Sequence, residues 1–139
     1  MKLKNFHIED NCAVVIDSKY FDLHNDFKLE GFRYDIANTE FELSWKSISQ
    51  PQGILIIFQE VSYLKIRERD PDKSEQEDNC LDFLGFLHPE DSAEMDGYVD
   101  SRDVKDNYQM IFNFEGGMAI KVFAKQAELK LISSSAKIN

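Results

Sequence analysis

Basic side chains are the scarce commodity of this chain: 16 Lys and Arg stand against 26 Asp and Glu, for a formal net charge of −10. With a pI near 4.7 and its bases scattered among acids, it lacks the phosphate-neutralising surface that nucleic acid binding requires. Cysteine is nearly absent. Cys12 and Cys80 alone cannot make a disulfide framework, and Met1 to Asp10 holds no apolar run of signal-peptide length, so a cytoplasmic protein with free thiols is expected. The longest apolar run, Ile54 to Phe58, is far short of the ~20 residues of a membrane helix. Glycine is sparse as well, and its only adjacent pair is Gly116-Gly117. That leaves no phosphate loop, dinucleotide fingerprint or nucleophile elbow.

The charge is not spread evenly. Residues 68 to 107 hold 14 acids and 4 bases, a balance of −10, whereas the other 99 residues hold 12 of each. A neutral body therefore carries one acidic insert, and such a distribution suits attraction of a cationic partner. The body itself is hydrophobic, with 42% apolar residues and 11 Phe, enough for a packed core in a single domain spanning 1–139.

Alternation of apolar and polar residues marks strands. Phe32, Tyr34 and Ile36 answer Phe41, Leu43 and Trp45 across a turn centred on Asn38-Thr39, with Ile36 expected opposite Phe41; Asn38 tolerates the positive φ of a tight turn and Thr39 does so poorly, so a four-residue loop with the same register is equally expected. Near the C-terminus, a three-residue loop Glu115-Gly116-Gly117 pairs Phe114 with Met118, Phe112 with Ile120 and Met110 with Val122, and Gly117 supplies the left-handed residue of a bulge. Ile54 to Arg67 reads as one long strand whose apolar phase slips, which predicts a bulge or bend near Gln59-Glu60. Leu81 to Leu87 is apolar on both parities and reads as a covered strand. Phe6 to Ile16 gives one or two strands around Asp10-Asn11, Ser18 to Asn25 a single helical turn capped by Ser18, and Phe27 to Leu29 a further strand. Gln126 to Ile132 reads as a helical turn or a last strand, and 133–139 as a frayed tail. The expected fold is mainly β, an antiparallel sandwich or partly open barrel of seven to eight strands with at most one or two short helices.

Because Leu81 to Leu87 reads as core, the acidic insert divides into two loops, about 68–80 and 88–107. The candidate partner-binding residues are Asp70, Asp72, Glu75, Glu77 and Asp78 in the first loop, and Glu90, Asp91, Glu94, Asp96, Asp100 and Asp103 in the second. A calcium loop starting at Asp70 fails, since Glu75 stands at the glycine place and Leu81 at that of the bidentate acid. Ser92 to Asp103 comes nearer the calcium pattern, with Glu94, Asp96, Gly97, Asp100 and Asp103 in register, but it begins with Ser92 where a carboxylate is wanted. The bland reading there is a short helix opened by Pro89 and a turn at Asp96-Gly97. His7, His24 and His88 are isolated in sequence, so no metal or cofactor is implied and no catalytic residue is assigned.

Three functional classes follow: a binding module docking a basic protein through its acidic face, a ligand-binding or enzymatic β-domain with a pocket between sheets, and a calcium-dependent module through Glu94 to Asp103. In its outline of acidic charge on a small β-body, and in the phrases Phe41-Glu-Leu-Ser-Trp45, Ile56-Ile-Phe-Gln-Glu-Val61 and Ile111-Phe-Asn-Phe-Glu-Gly-Gly117, the chain resembles the small acidic immunity proteins of bacterial toxin–immunity pairs. The resemblance spans residues 30 to 125, implies a basic toxin as partner, and transfers no site residues. Edge strands also leave room for a homodimer.

Overall fold

The computed structural model describes residues 1–91 and 93–133. Among these residues the fold is mainly β, with 56% strand and ten strands in two sheets that are antiparallel except at the first strand, one of them curled into a half-barrel. The strands are β1 (Lys2–Leu3), β2 (His7–Glu9), β3 (Ala13–Ile16), β4 (Lys19–Asp22), β5 (Phe27–Asp35), β6 (Glu40–Ser47), β7 (Gln52–Arg67), β8 (Leu81–Leu87), β9 (Gln109–Phe114) and β10 (Ala119–Ser133). The large sheet has the order β5-β6-β7-β10-β9-β8, with β1 running parallel to β10, and the small sheet has the order β2-β3-β4. The partly open barrel expected from alternation is thus present, with more strands than the seven or eight expected.

The curl comes from bulges. Between Val61 and Tyr63 the β7–β10 ladder skips Ser62, and neighbouring Glu60 takes a left-handed φ of 55°, so the slip in apolar phase is a real bend. A second bulge at Glu30 in β5 lets Leu29 face Trp45 and Phe32 face Leu43 on one side of the sheet. The interior is filled by Phe41, Trp45, Phe58, Phe112 and Phe114, all fully buried, and Trp45 stacks on Phe114 at 5.9 Å. The small sheet contributes Val14 and Ile16 to the same core, with Phe6 from just before it and Leu23 from the turn after it. Burying five such rings supplies a large share of the hydrophobic stabilisation, at about 25 cal/mol per Å² removed from water.

The C-terminal hairpin matches the expected register, with Ile120 opposite Phe112 and Val122 opposite Met110, and Gly117 has a φ of 96°. The β5–β6 hairpin differs by two residues. Tyr34 faces Phe41 and Phe32 faces Leu43, while Ile36 is in the turn and 81% exposed. The reason is the Asp35 carboxylate, which accepts the backbone N–H of Asn38 at 3.2 Å and its side-chain amide at 2.8 Å, closing a four-residue turn. The left-handed residue is Thr39, with φ 49°, not Asn38; its carbonyl accepts the Val61 N–H at 2.9 Å.

The helical turn expected at Ser18 to Asn25 is also corrected. Asp17 and Ser18 both have positive φ, 51° and 64°, and form the two-residue tip of the β3–β4 hairpin, in which Ile16 faces Lys19. Among the described residues helix is limited to three single 3₁₀ turns at Glu75–Glu77, Pro89–Asp91 and Ser101–Asp103. Pro89 opens one of them, as expected. Gln126 to Ile132 belongs to β10, which continues to Ser133 opposite Gln52; the rest of the expected tail, 134–139, lies outside the described residues.

Candidate functional site

β8 is the shared anchor of both acidic loops. The first loop, entering at Leu81, wraps the tip of the β9–β10 hairpin: Asp70 N–H donates to Gly116 O at 2.8 Å, and Gly116 N–H donates to Glu77 O at 3.0 Å. The fit is tight enough that a Cβ on Gly116 would lie 2.6 Å from Asp78 Oδ1, and one on Gly117 2.7 Å from Asp70 Cβ. Arg69 Nε bonds both oxygens of Asp78 at 2.8 Å, and its Nη2 donates to Lys73 O at 2.9 Å. Ser74 caps the turn at Glu75–Glu77 through the Gln76 N–H.

The second loop leaves β8 at Leu87 and folds back over the outer face of β8, β9 and β10. There Leu87, Met95, Ile111 and Ala119 form a small apolar cluster separate from the main core, which is why every residue of β9 is buried. Beside this cluster lies Lys121, with no exposed surface. Its ammonium donates to Asp91 O and Glu94 O, each at 2.7 Å, and burial holds its pKa below the ordinary lysine value, with Lys65 acting in the same direction. Asn113 donates to Met95 O at 3.0 Å and to Asp96 Oδ1 at 3.1 Å. Farther along, Val99 N–H donates to Phe86 O at 2.8 Å, and this close approach needs Gly85, whose Cβ would meet Tyr98 Cβ at 2.6 Å.

Arg67, the last residue of β7, ties the hairpin tip under the first loop to the second loop. Its Nε donates to Gly117 O at 3.0 Å and its Nη1 to both oxygens of Asp96 at 3.1 and 3.0 Å, which keeps the Asp96 carboxyl below the usual carboxylate range.

The eleven candidate residues accordingly divide by job. Asp70 accepts the Asp72 N–H, Asp78 is held by Arg69, Glu94 accepts the N–H groups of Met95 and Asp96, Asp96 is held by Arg67, and Asp100 caps Arg102 and pairs with its guanidinium. Those five shape the loops. The carboxylates of Asp72, Glu75, Glu77, Glu90, Asp91 and Asp103 make no hydrogen bond or ion pair among the described residues; all six are exposed except the half-buried Glu77.

In the calcium-like stretch Glu94 spends Oε1 on two N–H groups and Asp96 spends both oxygens on Arg67, and its first position, Ser92, lies outside the described residues. Among the described residues no three acidic, His or Cys side chains converge as a metal site. Cys12 and Cys80 are free. No helix of the described residues is long and apolar enough to cross a membrane.

Sequence parity places Lys121 on the face of β10 opposite the core and gives no sign that a loop covers it. The one signal was polar Gln109 and Asn113 sharing that face of β9 with Ile111. Comparison with family models, with curated protein sequences and with solved structures gave no match.

Proposed function

We propose that this chain is a non-enzymatic binding protein whose acidic surface docks a basic protein partner. One observation carries the reading: the loops spend Arg67, Arg69 and Lys121 on the inner side as clamps, while Asp72, Glu75, Glu77, Glu90, Asp91 and Asp103 keep carboxylates that no basic side chain of the described residues neutralises at bonding distance. Loops fastened in this way hold their charges in place before a partner arrives, which lowers the ordering cost of association. Charge complementarity then acts chiefly on encounter rate and on rejection of wrong partners.

The resemblance to small acidic immunity proteins makes a basic toxin the partner class, met in the cytoplasm. Retention of a cationic protein from the source organism's lysate at low salt, and its release when the Debye length is shortened by added salt, tests this reading. If the only proteins retained survive a step to ~1 M salt, or none is retained, the reading is wrong.

A further inference from the structure

β5 is an outer strand of the large sheet, and its two halves differ. The first half is closed, since Leu29 N–H donates to Asn79 O at 2.9 Å. The second half, Gly31 to Asp35, pairs with β6 on one side and with no strand or loop of the described residues on the other. Leu29 directs its N–H away from Trp45, its partner on β6, so those two form a non-hydrogen-bonded pair. β6 runs in unbroken register against β7, which carries the alternation past the Glu30 bulge. Leu43 and Phe41 turn their main chain toward β7, and their partners Phe32 and Tyr34 turn theirs to the open edge.

Along this edge the side chains are apolar where a free edge is ordinarily blunted by charge. Phe32 and Tyr34 lie on the core face of the sheet yet are 44% and 42% exposed, and the exposed Ile36 follows them. Phe32 is 5.8 Å from Phe41, so the patch is the uncovered rim of the aromatic core. Arg33 and Asp35 share the other face. The Arg33 side chain is largely exposed even with its bond to Glu42, and two bonds from Asn38 hold the Asp35 carboxylate in place.

We infer that two copies of this chain join through this edge, β5 against β5, about a two-fold axis at Tyr34. The two-fold makes the paired strands antiparallel, and only residues with an outward main chain can bond across it. Centred on Tyr34, each Tyr34 N–H donates to the partner's Tyr34 O, and Phe32 comes beside the partner's Ile36. Each Arg33 then stands opposite the partner's Asp35, in the closer, non-hydrogen-bonded kind of pair. Centred on Arg33, main-chain bonds also form, but Arg33 meets the partner's Arg33 and repels it. Centred on Phe32, Tyr34 falls opposite the partner's Glu30 bulge. Charge and ladder continuity together select Tyr34. The inference is independent of the docking reading above, whose acids lie in residues 68 to 107.

Sedimentation equilibrium of the full chain is expected to show monomer and dimer with a dissociation constant on the order of 10–100 µM, the weak class that so short a strip supports. In ¹H–¹⁵N spectra recorded over the same concentrations, the amides of Phe32 and Tyr34 should move and those of β8 and β9 should not. Tyr34→Pro removes only an outward N–H from the main chain, a change an edge strand tolerates, and should keep the chain monomeric at ~1 mM. Arg33→Gln reads the register: it weakens the dimer by about threefold or more if Arg33 faces the partner's Asp35, and tightens it if Arg33 faces its own copy. Should Tyr34→Pro fail to fold, the spectra and Arg33→Gln still decide.

A chain still monomeric at ~1 mM, concentration-dependent shifts centred elsewhere, or a dimer that Arg33→Gln tightens would each overturn the inference. So would protection of the Phe32 and Tyr34 amides only when a different protein is added, which would make this edge an acceptor for another chain's strand.

Discussion

Arg67 and Asp96 stand 29 residues apart in sequence and are joined by two hydrogen bonds from one guanidinium nitrogen, at 3.1 and 3.0 Å. Through this pair, and through the Arg67 bond to Gly117 O, the end of β7, the tip of the β9–β10 hairpin and the middle of the second acidic loop are tied together. Arg67→Met removes all three bonds. The side chains are partly exposed, at 36% and 67%, so the global cost is small, roughly 1 kcal/mol. The local effect is larger: hydrogen exchange should quicken at residues 94–99 and hardly at all in β5 and β6. Uniform quickening would show that Arg67 supports the whole fold instead.

The hairpin tip offers a second check. By turn geometry alone, a valine at Gly117 should cost far more than an alanine at Gly116. Packing narrows the gap, because a Cβ at Gly116 runs into Asp78 at 2.6 Å. Both variants are expected to destabilise, Gly116→Ala by about 1–3 kcal/mol through overpacking and Gly117→Val by more, since strain at its φ of 96° is added. Denaturant melts of the two proteins measure this; a neutral Gly116→Ala would mean the first loop does not rest on the tip.

Lys121 makes stability depend on pH at the alkaline end. Its folded pKa is lowered from the ordinary 10.5 by burial, so between the folded and unfolded values the unfolded chain binds more protons, and stability rises with pH across that window. Below the window the charged amine carries its desolvation cost in full. The Lys121→Met variant lacks this dependence. The stability of wild type minus that of the variant should therefore shift in favour of wild type as pH climbs toward 10.5. A flat difference in urea melts across that range would refute the assignment.

Calcium provides a quick discriminator. A native-state ligand at about 100 times its dissociation constant adds ~2.7 kcal/mol, a readily seen rise in melting temperature. With Glu94 and Asp96 engaged by N–H groups and Arg67, no rise is expected in millimolar calcium. A rise would restore the calcium-dependent module.

The large sheet was legible where side-chain alternation and turn chemistry agreed. Met110, Phe112 and Phe114 against Ile120 and Val122, with Gly117 at the left-handed position, leave one register. The β5–β6 register was not legible, because moving it by two residues keeps every apolar residue on the same face; the choice fell to the Asp35–Asn38 bonds and the Glu30 bulge. Ser18 resembles a helix cap in sequence but sits in a two-residue hairpin turn, a conformation it shares with Asp17. The candidate acids were visible as composition only. Which of them shape the loops and which face water depended on Arg67, Arg69 and Lys121, whose partners lie 29, 9 and 27 to 30 residues away, and no short-range pattern encodes such pairings.

The most direct test of an acidic docking face is binding to an immobilised cationic protein captured from the source organism, comparing wild type with a chain in which Asp72, Glu75, Glu77, Glu90, Asp91 and Asp103 are changed to their amides. The folded core should be untouched, and the association rate should fall by about tenfold or more at low ionic strength with a flatter salt dependence. An unchanged association rate and salt slope would contradict the account.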